Sequence, residues 1–178
     1  MSKKFEVDIL QVSSVKKLIK DLKKYKNDFH KKCELLVSRL ADSGLQIANA
    51  KVSESPLGGY VNLHIESLNI PNGAGTKIVG IGAIKQATGY PDFNILLAVE
   101  FGAGIYHNNT PNPYSGQLGF GVGTFPGQTH AFEDSWWYWD EKDQKWKRTY
   151  GVKATMPMYS TYMGVKSLVT KTAQEVFK

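Results

Sequence analysis

The stretch FNILLAVEFGAGIYHNN, Phe93 to Asn109, decides how this chain is built. Its first nine residues are an apolar run interrupted only by Asn94 and Glu100, and Gly102 and Gly104 follow at once. A short apolar run bounded by turn residues reads as a buried strand. FNILLAVEFG is therefore expected to be the third strand of a small sheet, with the two glycines releasing the backbone into something irregular. Glu100 poses the functional question. An acid at a strand end, followed by glycines and His107, suits a catalytic rim, a ligand loop or an arm that grips another protein.

Upstream, Val61, Leu63 and Ile65 alternate with Asn62, His64 and Glu66, which is the period of a half-buried strand over residues 60–68. PNGAG supplies a reversal, and TKIVGIGAIK makes a second strand, so the three strands are expected to form an antiparallel meander. Further upstream, Val15, Leu18, Leu22, Tyr25, Phe29, Cys33, Leu36 and Leu40 recur at steps of three and four with lysines mostly opposite. That predicts a long amphipathic helix over about 13–49, capped by Ser13 or Ser14 and bent or ended near Gly44. Its apolar stripe is narrow, fit to lie along a sheet or to pair with another helix.

Downstream, the regular periods stop between Gly102 and Glu133. Glycines and prolines punctuate the backbone while Tyr106, Tyr114, Phe120 and Phe125 keep the side chains adhesive. A loop this long is commonly functional. SWWYWD and KWKRT flank EKDQ as a tight aromatic hairpin. Met158, Tyr162, Val165, Leu168 and Val169 share a face of a last helix with Pro157 in its first turn. The fold class is thus α+β in one domain, 1–178. It comprises an N-terminal segment and long helix (1–51), antiparallel strands (60–101), an extended arm (102–135), a hairpin (136–150) and a C-terminal helix (156–178).

The formal net charge is +6, and Lys16, Lys20, Lys24 and Lys31 belong to a lysine cluster near the start of the chain. These lysines either form a solvated helix face or approach DNA phosphates. Asp21, Asp28, Glu34 and Asp42 interrupt the cluster, which favours the solvated face. A single cysteine leaves no intrachain disulfide framework. No run of apolar residues is long enough to span a membrane, and the MSKKFEVDIL start has no apolar signal region, so the chain is expected to be made in a cytoplasm.

Catalytic chemistry finds little purchase. Cys33 lies on the apolar stripe of a helix, the position of a small buried hydrophobe. His30, His64, His107 and His130 never stand at a ligand spacing, although His107, His130, Glu133 and Asp134 would converge if the arm folded back. GFGVGTFPG lacks the lysine and hydroxyl of a phosphate loop. Glu66, Glu100, Glu133 and Asp140 offer no singled-out carboxylate pair. The expectation is a protein without catalytic residues, cofactor or metal. For the hairpin, alternation puts Trp137 and Trp139 on a core face and leaves Trp136 and Tyr138 for a neighbouring subunit. The aromatic residues are alternatively a platform for sugars, as in a carbohydrate-binding module.

Several of these pieces occur together and in order: VEFGAGIY, a glycine- and proline-rich stretch with GTFPG, then SWWYWDEKDQKWKRTYGVKATMPMY leading into the last helix. This set resembles the neck or tail-completion family (minor tail component, head-tail joining) of long-tailed bacteriophages, most specifically from Val99 to Met158. Glu100, Phe101, Gly102 and Gly104 match its knuckle, and Trp137, Tyr138 and Asp140 its hairpin. Arg148, Thr149 and Gly151 match its turn, and Pro157 and Met158 its helix start. The arm between Gly104 and Ser135 is longer than a minimal member needs. The resemblance implies a virion structural protein at the head-tail junction, a hexameric ring between neck, head-closure and tail-terminator or tail-tube proteins, with genomic DNA nearby and no membrane. On that reading Glu100, Phe101, Gly102, Gly104, Ile105 and Tyr106 form a hinge and the start of an arm for a neighbour. Tyr114, Phe120, Phe125, Trp136 and Tyr138 are then its contact residues.

Overall fold

The computed structural model describes residues 4–5, 8–70, 73–86, 92–105, 112–120, 125–140 and 142–178. The fold is α+β, with a long N-terminal helix, a C-terminal helix and small antiparallel sheets. Tyr106, His107 and the Pro71-Asn72 reversal lie outside the described residues.

Helix α1 (Val12–Ser53) has 42 residues, a rod of about 63 Å at 1.5 Å per residue. It starts two or three residues earlier than a Ser13 or Ser14 cap predicts. Gln11 is its N-cap, and Ser14 instead uses its hydroxyl to accept the Asp8 amide at 3.0 Å. Nor does Gly44 end the helix, which runs on to Ser53. A Cβ there would lie 2.8 Å from Ile78 Cδ1 and 2.9 Å from Val165 Cγ2, so the glycine lets three elements meet at one point. Buried Ala41, Gly44, Ala48 and Val52 follow one another at steps of three and four, the spacing of one helix face.

Helix α3 (Pro157–Phe177) runs antiparallel against that face. Thr161 donates its hydroxyl to the Gly44 carbonyl at 3.3 Å, and at the other end the Phe177 ring meets Phe29 with centroids 5.6 Å apart. The part of α1 before Phe29 therefore runs past the last turn of α3.

The meander is a correction. Strands β1 (Val61–Ile70) and β2 (Gly73–Gly82) pair antiparallel in register from Val61↔Gly82 to Ile70↔Gly73, but the third strand does not join them. FNILLAVEFG gives only β4 (Phe93–Asn94), paired with the two-residue β3 (Ile84–Lys85), and then helix α2 (Ile95–Phe101). Asn94 starts the helix, its side-chain oxygen accepting the Leu96 amide at 2.9 Å, and Gly102 at φ 78° stops it. A buried helix and a buried strand look alike as continuous apolar runs. Here the asparagine cap and the glycine stop decide the matter.

Because α2 is coiled, its side chains reach two clusters at once. Ile95 and Val99 join Ala48, Val52 and Leu63, while Ala98 and Phe101 join Phe125. The aromatic hairpin forms a third two-stranded sheet, β5 (Trp136–Asp140) with β6 (Lys145–Thr149). Among the described residues no helix is long and apolar enough to cross a membrane.

Candidate functional site

The knuckle after α2 is where distant parts of the chain meet. Helix α3 begins with Pro157, preceded by Met156 in the left-handed region and without a side-chain cap of its own. Its first-turn amides would be orphans, since the opening amides of a helix have no intrahelical partner. Glu100 supplies the acceptor from the end of α2: its Oε2 accepts Met158 N at 2.8 Å and its Oε1 accepts Tyr159 N at 3.0 Å. The placement also sets a negative charge at the positive end of a helix dipole. Asn112 Nδ2 donates to the same Oε1 at 2.7 Å, while Asn112 Oδ1 accepts Tyr114 N at 2.9 Å. A backbone bridge between Ala103 and Val152, with N···O distances of 2.8 and 2.9 Å, ties the exit of α2 to the exit of the hairpin. Gly151, at φ 91°, lies so close under the Ala103 carbonyl that no side chain fits.

Glu100 is buried among these partners. Burial pushes its carboxyl above the usual carboxylate range, and the amide donors of Met158, Tyr159 and Asn112 pull only partly back. The folded chain thus holds this proton more tightly than the unfolded chain. Glu100 then contributes a stability that is fully present below the ordinary carboxylate pKa and is lost as pH rises through the raised value. Urea unfolding of wild type and Glu100→Gln across that window should give a difference curve falling with pH. A flat difference would exclude Glu100 as its source.

The described residues of the arm pack against the body of the same chain. Phe101 meets Phe120 edge-on at 5.2 Å, Phe125 lies 5.8 Å from Phe93, and Tyr114 lies 5.6 Å from Tyr159 and 6.1 Å from Tyr162. Glu100, Phe101, Gly102, Gly104 and Phe125 are buried inside the chain and Phe120 is half-buried, whereas Ile105 and Tyr114 remain exposed. Most of the residues expected to grip a neighbour are spent on the protomer itself. The reason is that its own aromatic rings are within reach of the folded-back loop.

The hairpin also departs from its predicted faces. Trp136 stacks on His130 at 4.8 Å with an interplanar angle of 11°, and Gly104 leaves room for its ring. His130 Nδ1 is held 2.9 Å from Glu133 Oε1. The expected core face is the exposed one. Trp137 and Trp146 are 62% and 63% exposed, and cross-strand register puts Trp137, Trp139, Trp146 and Arg148 on the same side. Alternation shows that the two faces differ but not which one the body occupies. Tyr138, on the other side, is exposed as well. Lys147 lies 2.7 Å from Asp140 and also pairs with Asp143, which holds the turn, raises the lysine above its ordinary pKa and lowers Asp140.

Cys33 is half-buried in α1, and Lys16, Lys20, Lys24 and Lys31 are exposed along it. Among the described residues no three His, Cys, Asp or Glu side chains gather where they could hold a metal. Sequence reasoning missed Asn112 and Tyr159 as partners of Glu100. Asn112-Pro113, a dipeptide that initiates turns, was the available signal for the first. No family model, curated protein or solved structure matches this chain.

Proposed function

We propose that this chain is a structural protein of the bacteriophage head-tail junction, a ring of six copies that joins the head connector to the tail. One observation supports it most. The motif pieces that carry the resemblance, far apart in sequence, meet in space as a single unit. Glu100 caps the helix begun by Pro157 and Met158, Ala103 bridges to Val152 beside Gly151, and Gly104 lies under Trp136. That unit holds out a hairpin whose Trp137, Trp139, Trp146 and Arg148 face solvent. Exposed tryptophan and arginine are the residue types that anchor protein interfaces. In a ring, subunits meet through two different patches, so a protomer keeps exposed apolar surface until it assembles.

The alternative, a carbohydrate-binding module, draws on the same face. Trp139 and Trp146 meet at 70°, the edge-to-face geometry of packed aromatic pairs rather than a flat floor for a sugar ring, which favours a protein partner.

Two measurements test the reading. Mass spectrometry of purified virions should find the chain at a stoichiometry of six per particle. Deleting its gene should leave filled heads beside separate tails. Virions lacking the chain, or a deletion that still yields joined particles, would refute it.

A further inference from the structure

The free part of α1 carries a second pattern. Val15, Leu18, Leu22, Tyr25 and Phe29 follow one another at steps of three, four, three and four, the strict a/d spacing of a coiled-coil seam rather than the broader stripe of a helix lying on a sheet. With Val15 at a, the positions assign themselves. Lys16, Lys17, Lys20, Lys23, Lys24 and Lys31 fall at b, c and f, away from the seam. Asp21 falls at g and Lys26 at e.

Among the described residues the protomer covers this seam only in part: Val15 and Leu18 are half-buried, while Leu22, Tyr25 and Phe29, with Ile19 beside them at an e position, keep between 44% and 48% of their surface exposed. That holds although Phe5 lies edge-on to Tyr25 and Phe177 lies against Phe29. The pattern stops where the body takes over: Lys32, at the next d position, turns its ammonium over the Phe177 ring at 5.8 Å.

The flanking charges say what covers the seam. In a parallel pair of helices, a g residue faces the e residue five positions later on the other helix. Asp21 then meets Lys26 of a second copy, and the second copy's Asp21 meets Lys26 in return. An antiparallel pair sets g against g and e against e, which brings Asp21 toward Asp28 of the second copy and leaves Lys26 against Ile19 without an acid. A helix lying on anionic lipid needs basic residues bordering a wide apolar face, but here Asp21 borders a narrow one. Nucleic acid would use the lysines and leave the seam bare.

We propose that Val15–Phe29 of α1 is a seam through which two copies of this chain associate as a parallel helical pair. It goes beyond the head-tail reading and does not depend on it, requiring only a second copy.

Sedimentation equilibrium of the full chain over a range of concentrations tests it. The expected mass rises from 19.8 kDa to twice that. Leu22→Glu with Tyr25→Glu, at positions exposed in the protomer, should keep the circular dichroism spectrum and melting temperature but stay monomeric. Asp21→Lys and Lys26→Asp should each weaken association about fivefold, and the two together should restore it. A chain that is monomeric throughout overturns the proposal, as does association that survives the Leu22 and Tyr25 changes. Failure of the charge exchange to restore association overturns the parallel register. Mixing with a DNA duplex, or with vesicles of anionic phospholipid, provides the remaining arm. Binding that keeps the chain monomeric and is lost in Lys16→Glu, Lys20→Glu, Lys24→Glu would assign α1 to phosphates instead. None of these outcomes is read from virions, so the head-tail reading stands or falls separately.

Discussion

Glu100→Ala is expected to lower the free energy of unfolding by about 3 kcal/mol, seen as an earlier urea midpoint with an unchanged slope. Two effects compete. Removing the carboxylate relieves the cost of burying it, the cost that raises its pKa. It also strands the amides of Met158 and Tyr159 and the side-chain amide of Asn112, which Glu100 now satisfies. Each buried donor left without a partner costs about 1–3 kcal/mol, so three of them outweigh one relieved desolvation. Glu100→Gln keeps the shape and one acceptor oxygen but turns an NH2 toward an amide, and should fall between wild type and alanine. If alanine proved as stable as glutamine, the cap would be incidental and the helix would be held by packing alone.

The second large effect is on assembly. Trp137→Ala changes a side chain that is mostly in solvent, and surface changes of that kind usually move stability by less than about 0.5 kcal/mol. Anchoring tryptophans at interfaces are worth about 2 kcal/mol or more, which corresponds to about thirtyfold in affinity. In a deletion background complemented with the variant, the yield of joined particles should therefore drop about thirtyfold while the purified protein melts as wild type. Trp146→Ala should act likewise, with an added loss in hairpin stability from its contact with Trp139. Full particle yield from both variants would remove the hairpin face from the junction and leave the neck reading without its surface.

Much of the architecture could be read from local signals. The periodicity from Val15 to Leu40 gave α1, the alternation through Val61, Leu63 and Ile65 gave β1, and Pro157 opened α3 as expected. Each rests on residues close in sequence. What failed were the decisions made by distant ones. The run from Ile95 to Phe101 is apolar but for Glu100, because most of it is buried and Leu96 and Leu97 are half-buried, so no period separates strand from helix. Only Asn94 and Gly102, taken as a pair, carry the answer. Trp136 and Trp137 alternate in the sequence whichever way the hairpin faces, and the choice is made by His130 and Gly104 from another part of the loop. Glu100 stood out as an acid ending an apolar run, but not as the cap of a helix that starts at Pro157. Nothing near either residue announces the other.

The bridge between Ala103 and Val152 carries one more consequence. It pins both ends of the excursion at one spot, so the intervening chain is a closed loop hung from a fixed clasp. The entropy of closing such a loop grows only with the logarithm of its length, about 0.6 kcal/mol for each doubling. Asn112 on Glu100 and Phe125 in the core pin two further points of that loop, so a change of length is absorbed between the anchors, as at the exposed turn around Gly116, where a side chain would meet nothing. Insertions there leave the clasp and the helices almost undisturbed, and the contacts made by such a turn can be rewritten without rebuilding the scaffold.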